Sequence, residues 1–313
     1  MDLKSKIILI YGPTASGKSE FAILLANKIN GEIINADSMQ VYKELKILTA
    51  RPHKKKIKKI RHHLYGFQSV KKNFSTGDWL KLIDKKIIDL KKRKKIPILV
   101  GGTGLYFNSL INGLVKIPNI PKKFRNKIRV LQKKNGQKEF YRKLLKLDPK
   151  VKNRFNPNDT QRSIRAFEII SYTKISMYDW VKKTKPKFRD NDFLKLYINF
   201  NRQELIQRIA SRTNNMFKQG VIMEVKEFNK LKIKKGHSAT KVIGIDELTK
   251  YLDNRINLEA SKELINIRTR QYAKRQVTWA RSKMDSWNKI DPKKILYWIK
   301  KINKSSLKLD QLI

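Results

Sequence analysis

The residues most able to do chemistry lie in the first fifth of the chain. Gly12-Pro13-Thr14-Ala15-Ser16-Gly17-Lys18-Ser19 follows the apolar run Ile7-Ile8-Leu9-Ile10-Tyr11. This is the phosphate-loop pattern G-x-x-x-x-G-K-S/T placed after a strand and before a helix, the order its mechanism requires. The glycines let the backbone curl so that several N–H groups converge on one anion. Lys18 adds a point charge, the Ser19 hydroxyl suits Mg²⁺, and the following helix turns its positive end to the same place. A ligand with at least two linked phosphates is expected, whether or not it is a nucleotide.

Two further loops carry reactive side chains. Ala36-Asp37-Ser38-Met39-Gln40-Val41-Tyr42 follows a second apolar run, and Gly101-Gly102-Thr103-Gly104-Leu105-Tyr106 follows a third. In an open parallel sheet all three loops belong at the carboxyl rim, where ligands bind. Asp37 is their only acid. Its spacing suits a general base and a Mg²⁺ ligand equally, and a helix cap remains open too. The glycines around Thr103 serve a ligand or merely close packing.

Two basic stretches complete the set. In Asn158-Asp159-Thr160-Gln161-Arg162-Ser163-Ile164-Arg165, Gln161 and Arg165 share a helical face. In Arg268–Arg281, basic residues alternate with Tyr272, Gln276 and Trp279. Arg and Gln among aromatics suit single-stranded nucleic acid, through phosphate neutralisation, base-edge hydrogen bonds and stacking. A basic surface helix with a core Trp fits the same pattern.

The elements that must position these residues follow from periodicity. Ile7–Tyr11, Glu32–Asn35, Ile96–Val100 and Leu194–Phe200 are predicted strands, the first three separated by helical patterns. That alternation predicts a parallel sheet with helices on both faces. From Lys122 to Lys183 only helical patterns occur, bounded by Pro118–Pro121 and by Pro186. The predicted fold is α/β: a P-loop NTPase-like parallel core formed by 1–119 and 188–313, with an inserted all-helical domain over 120–187.

Composition limits the partners. The 313 residues carry 73 basic and 26 acidic side chains, a net charge of +47, which favours a polyanion. Runs such as Lys54-Lys55-Lys56 and Lys92-Arg93-Lys94-Lys95 also read as solvated surface. There is no cysteine, which excludes disulfides and thiolate zinc sites. His62-His63 lack a nearby partner and are assigned no metal. No apolar run reaches membrane-spanning length, and the N-terminus enters a strand directly; a cytoplasmic protein with no membrane partner is expected.

Taken in order, these motifs resemble the tRNA dimethylallyltransferase (tRNA isopentenyltransferase) family. The resemblance rests on Gly12–Ser19, Asn35–Tyr42, Thr49-Ala50-Arg51-Pro52, His62-His63-Leu64, Gly101–Tyr106, Gln161–Arg165 and Lys274–Arg281. It implies transfer of the dimethylallyl group from dimethylallyl diphosphate to N6 of the adenosine 3′ of the tRNA anticodon, with diphosphate released. The implied catalytic residues are Asp37 as base, Thr103 and Lys18. The implied diphosphate site is Gly12, Pro13, Thr14, Ala15, Ser16, Gly17, Lys18 and Ser19 with Arg212, and Mg²⁺ is held at Ser19. The anticodon stem-loop is expected on Asp37, Ser38, Met39, Gln40 and Thr103, on Arg125, Gln161, Arg162, Ser163, Ile164 and Arg165, and on Lys274, Arg275, Gln276, Val277, Thr278, Trp279, Ala280 and Arg281. A monomer is expected. A P-loop kinase acting on a small molecule and a non-catalytic RNA-binding protein are the competing readings; neither accounts for the whole set.

Overall fold

The computed structural model describes residues 3–52, 60–234 and 236–304. The Lys54–Lys56 run lies outside them. The chain divides into two compact units, Met1–Ser109 with Phe188–Ile313, and Leu110–Lys187.

The first unit is built on a six-stranded, all-parallel sheet. Its strands are β1 (Ile7–Tyr11), β2 (Gly31–Asn35), β3 (His62–His63), β4 (Ile96–Gly101), β5 (Phe193–Ile198) and β6 (Asn288–Ile290), in spatial order β3-β2-β4-β1-β5-β6. β1 is central, with Ile10 opposite Val100 on one side and Leu196 on the other. Every residue of β1 is buried, as expected of a strand covered on both faces.

Alternation along β1 divides the core. Ile8 and Ile10 pack with Phe21, Leu25 and Ile29 of helix α1 (Lys18–Ile29). Tyr11, on the opposite face, meets Phe107 edge-on at 5.7 Å from helix α3 (Gly104–Asn112). Between β3 and β4 runs α2 (Thr76–Lys92), started by a reciprocal Ser75–Asp78 capping box and buried along Trp79, Ile83, Ile87 and Leu90. The predicted strands lie within one or two residues of the observed ones. β3 and β6 escaped detection because two and three residues are too short to display a period.

The second unit is helical: α4 (Lys122–Leu147), α5 (Thr160–Thr173) and α6 (Met177–Lys182). α4 breaks at Gly136, whose φ of 69° and ψ of 168° no helix accommodates. Tyr141, Leu144, Phe155, Ala166 and Ile170 form the unit's core, and Phe140 stacks on Phe167 at 4.8 Å. The unit spans Leu110–Lys187; α3 ends at Asn112, and residues 113–121, with Pro118 and Pro121, form neither helix nor strand before α4 begins.

After β5 the first unit continues as α7 (Arg202–Lys218), α8 (Val221–Lys230), α9 (Ile245–Leu252), α10 (Leu258–Lys283) and α11 (Ile295–Lys304). α7 and α10 pack together through Leu205, Ile209 and Ala273. No helix among the described residues is long and apolar enough to cross a membrane.

Candidate active site

The phosphate loop is shaped by its own backbone. Ala15 and Gly17 hold positive φ of 63° and 82°, and the Ser16 amide donates to Pro13 O at 3.2 Å. Gly17 caps α1 without a side chain over the first-turn N–H groups, which therefore remain available to an anion. A Cβ on Gly12 would come 2.7 Å from Ser16 Oγ, so glycine is required there for the loop to close. Ser16 Oγ is buried without a hydrogen-bond partner.

Basic side chains surround the loop. Lys18 Nζ donates to Pro13 O at 3.1 Å. Burial lowers the Lys18 ammonium to about 8, Asp37 pulls it upward, and Arg212 pushes it down again. Arg212 Nη1 donates to Thr14 Oγ1 at 2.6 Å, which places this α7 residue at the loop. Burial also lowers the Arg212 guanidinium, against the attraction of Asp37. One turn earlier, Arg208 Nε donates to Ala15 O at 2.8 Å. Arg208 is not distinguishable from sequence alone, since a helical Arg has no visible partner until α7 is placed beside the loop.

Asp37 faces this cradle. It shares a cavity of about 220 Å³ with Thr14, Lys18 and Arg212. A local turn fixes it: Asn35 Oδ1 accepts the Asp37 amide at 2.9 Å, and Asp37 Oδ1 accepts the Met39 amide at 2.9 Å. Asn35 is fully buried, and its Nδ2 also donates to Asp37 O and Leu64 O. This residue was missed as a contributor to the site; a polar residue ending an apolar strand was the available signal. Met39 and Gln40 line the same cavity. Gln40 Nε2 is occupied by Thr49 O and Ala50 O.

Thr103 hydrogen-bonds two neighbours. Its Oγ1 accepts the Ser38 amide at 2.9 Å and donates to Ser38 Oγ at 3.2 Å. It also hydrogen-bonds Tyr272, which lines the cavity. Burial, followed by Asp37, raises the Tyr272 phenol and keeps it neutral.

The glycines beside Thr103 are there for packing. A Cβ at Gly101 would fall 2.0 Å from Ala36 O, at Gly102 2.1 Å from Gln276 Nε2, and at Gly104 2.2 Å from Trp279 Nε1. They allow the second loop and α10 to close on the end of β4. These contacts correct the expectation for Gln276. It is 4% exposed, its Oε1 accepts the Thr14 amide at 2.8 Å, and its Nε2 donates to Gly102 O at 2.8 Å. Its carbonyl accepts the Tyr11 hydroxyl at 2.9 Å. Gln276 therefore ties the phosphate loop to the third loop and has no amide edge left for a base. Ala280 is likewise buried, and Trp279 is seated on Gly104.

The other α10 residues face outward differently. Arg275 lines the cavity, whereas Lys274, Val277, Thr278 and Arg281 line a neighbouring groove of about 500 Å³ with Arg202 and Phe200. Lys274, Arg275, Thr278 and Arg281 are exposed.

In the helical unit, Gln161 and Arg162 are exposed, with Arg162 3.4 Å from Asp159. Ile164 is half-buried. Ser163 is fully buried, donating to Asp159 O and accepting from Gln137 Nε2 at 3.0 Å, which corrects its expected RNA contact. Arg125 and Arg165 converge on Glu168 Oε2 at 3.2 and 3.1 Å, and Arg129 lies 3.9 Å from Oε1, so three partly exposed guanidiniums share a carboxylate of 1% exposure.

The same cavity is also lined by apolar side chains: Leu48, Met216, Val242 and Ile265 of one hydrophobic cluster with Ile243 beside it, and Ile209, which packs with Ala15 nearer the phosphate loop. An anion cradle, an acid and an apolar recess thus share one space, fitting an amphiphilic diphosphate better than a purely polar ligand. Among the described residues no group of three or more His, Asp or Glu side chains is gathered to hold a metal. The donor set at the cradle, Ser19 with the oxygens of a bound diphosphate, fits Mg²⁺, which keeps few protein ligands beside substrate phosphates.

The chain is similar to known proteins along nearly its whole length. A model of the IPP transferase family matches residues 40–283, beginning beyond the phosphate loop and so independent of it. A tRNA dimethylallyltransferase of Pelagibacter ubique (strain HTCC1062) is 67% identical over 312 residues, spanning 100% of both chains. One from Rickettsia massiliae (strain Mtu5) is 43% identical over 284 residues, spanning 90% of this chain and 78% of the relative. The crystal structure of the full-length tRNA isopentenylpyrophosphate transferase from Bacillus halodurans is 30% identical with a TM-score of 0.70, covering 98% of this chain and 99% of that one. A eukaryotic dimethylallyltransferase captured acting on tRNA is 30% identical with a TM-score of 0.81, covering 94% of this chain and 75% of that one. The chain belongs to the IPP transferase family.

Proposed function

We propose that this protein is a tRNA dimethylallyltransferase, which moves the dimethylallyl group of dimethylallyl diphosphate to N6 of the adenosine 3′-adjacent to the anticodon and releases diphosphate. The observation that carries the reading is the single cavity in which Asp37 stands with Lys18, Thr14 and Arg212, continued by an apolar recess.

The donor's diphosphate sits in the phosphate loop, on the open N–H groups at the start of α1 and on Lys18 and Arg212. Those cations stabilise the charge that develops as the bond from allylic carbon to oxygen breaks. The adenine amine is a weak nucleophile because its lone pair is delocalised into the ring. Asp37 accepts its proton as the N6–carbon bond forms, and the electron pair of the breaking bond leaves with diphosphate. Asn35 and the Met39 amide hold Asp37 in place for this task. When bound, Mg²⁺ supplies further charge neutralisation on the leaving group, with the Ser19 hydroxyl as its protein ligand.

A stacked base cannot enter such a cavity, so the adenosine leaves the anticodon stack at a cost of a few kcal/mol. Exposed cations offset that cost by holding the stem-loop: Arg162 in the helical unit, and Lys274, Arg275 and Arg281 on α10. The enzyme acts as a monomer in the cytoplasm.

Incubation with dimethylallyl diphosphate, Mg²⁺ and unmodified tRNA, followed by nucleoside mass analysis, tests the reading. The expected result is a dimethylallyl mass gain on the adenosine beside the anticodon. ATP turnover with no tRNA requirement and no such gain would instead indicate a small-molecule kinase.

A further inference from the structure

The cavity has a direction. Arg212 is fixed to the phosphate loop through Thr14, and Met216 lies one turn further along α7, about 6 Å away on the same face. On α10, Tyr272 marks the end near Thr103, and Ile265 lies two turns away, about 10 Å back along the axis. Both helices therefore run from charge toward hydrocarbon. The recess ends in packed core: Met216, Ile265, Leu48 and Val242 are 7%, 2%, 4% and 5% exposed and belong to one hydrophobic cluster.

This end wall is braced. The Lys46, Ile47 and Leu48 amides all donate to the Glu224 carboxylate at 2.7–3.0 Å. Behind Leu48 stands Gly244, where a Cβ would lie 2.3 Å from Leu48 Cδ2, so Leu48 has no space to retreat. A longer hydrocarbon would have to displace close-packed side chains, which cores resist.

We propose that Leu48, Met216 and Ile265 form a steric floor that sets the length of the transferred prenyl group, so that these residues select a five-carbon donor against longer allylic diphosphates. The assignment rests on reading the cavity as an allylic diphosphate site. A hydrocarbon extended by a further isoprene unit meets Met216 and Leu48 before its diphosphate can reach Lys18. Truncating either residue opens the floor without touching the cradle or Asp37.

The test compares dimethylallyl and geranyl diphosphate as donors to unmodified tRNA, with the product nucleoside weighed, for the wild type, Met216→Ala, Leu48→Ala and Met216→Phe. Binding of inorganic diphosphate, which does not touch the floor, serves as the check on folding. The wild type is expected to transfer the shorter group and to discriminate against geranyl. Either alanine variant should raise the geranyl-to-dimethylallyl ratio of kcat/KM about tenfold or more. Met216→Phe should depress dimethylallyl transfer while diphosphate binding persists. Unchanged selectivity in variants that still bind diphosphate and still transfer dimethylallyl overturns the floor alone. Absence of dimethylallyl transfer by the wild type overturns the donor reading and the floor with it.

Discussion

Gln276 and Thr14, 262 residues apart, are joined by a 2.8 Å hydrogen bond from the Thr14 amide to the Gln276 side-chain oxygen. The same side chain donates to Gly102 O, so one buried amide fixes the spacing between the phosphate loop and the end of β4. Gln276→Ala strands a buried N–H and a buried carbonyl, each costing about 1–3 kcal/mol. The expected result is a lowered melting temperature together with weaker diphosphate binding. A variant that melts like the wild type but loses tRNA affinity would mean that Gln276 reads a base after all.

Lys18 links donor binding to pH. Burial holds its ammonium at about 8, below its ordinary value, and a bound diphosphate favours the charged form. Well below pH 8 the lysine is already protonated and binding takes up little proton there. Above pH 8 binding must first protonate it, so affinity should fall as pH rises, with net proton uptake. Calorimetry of inorganic diphosphate in buffers of differing ionisation enthalpy measures this. Lys18→Arg should abolish the Lys18-linked uptake, and an affinity flat from pH 7.5 to about 9.5 would contradict the assignment.

The helical unit separates surface charge from internal bonding. Arg162 is exposed, whereas Ser163 beside it is fully buried. If Arg162 meets a tRNA phosphate, Arg162→Ala should reduce the slope of log affinity against log salt by about 1. Ser163→Ala should lower the thermal stability of the helical unit and leave that slope unchanged. Filter binding of tRNA over a salt series, with melting curves for both variants, distinguishes the two roles.

Much of this was legible in the residues. The phosphate loop is local: its glycines, Lys18 and Ser19 are adjacent in the chain, and the preceding strand was marked by five consecutive apolar residues. Asp37 was legible as the single acid among the rim loops. Gln276 and Ser163 were misjudged because helical periodicity gives a residue's face but not what packs on that face. Gly102 and Gln137 supply those partners from distant sequence. Arg208 and Asn35 were overlooked for a similar reason, since their hydrogen bonds depend on chain segments brought together only by folding. The apolar recess was invisible too: Leu48, Met216, Val242 and Ile265 come from four separate stretches, and each by itself reads as ordinary core.

Asp37→Asn under single-turnover conditions, with dimethylallyl diphosphate and tRNA both saturating, tests the central claim most directly. Asn keeps the side chain's size and its turn but cannot accept the amine's proton. The expected result is a transfer rate lower by about 10²–10⁴-fold, with tRNA and donor affinities close to wild type. A variant that transfers the prenyl group at near wild-type rate would contradict the account.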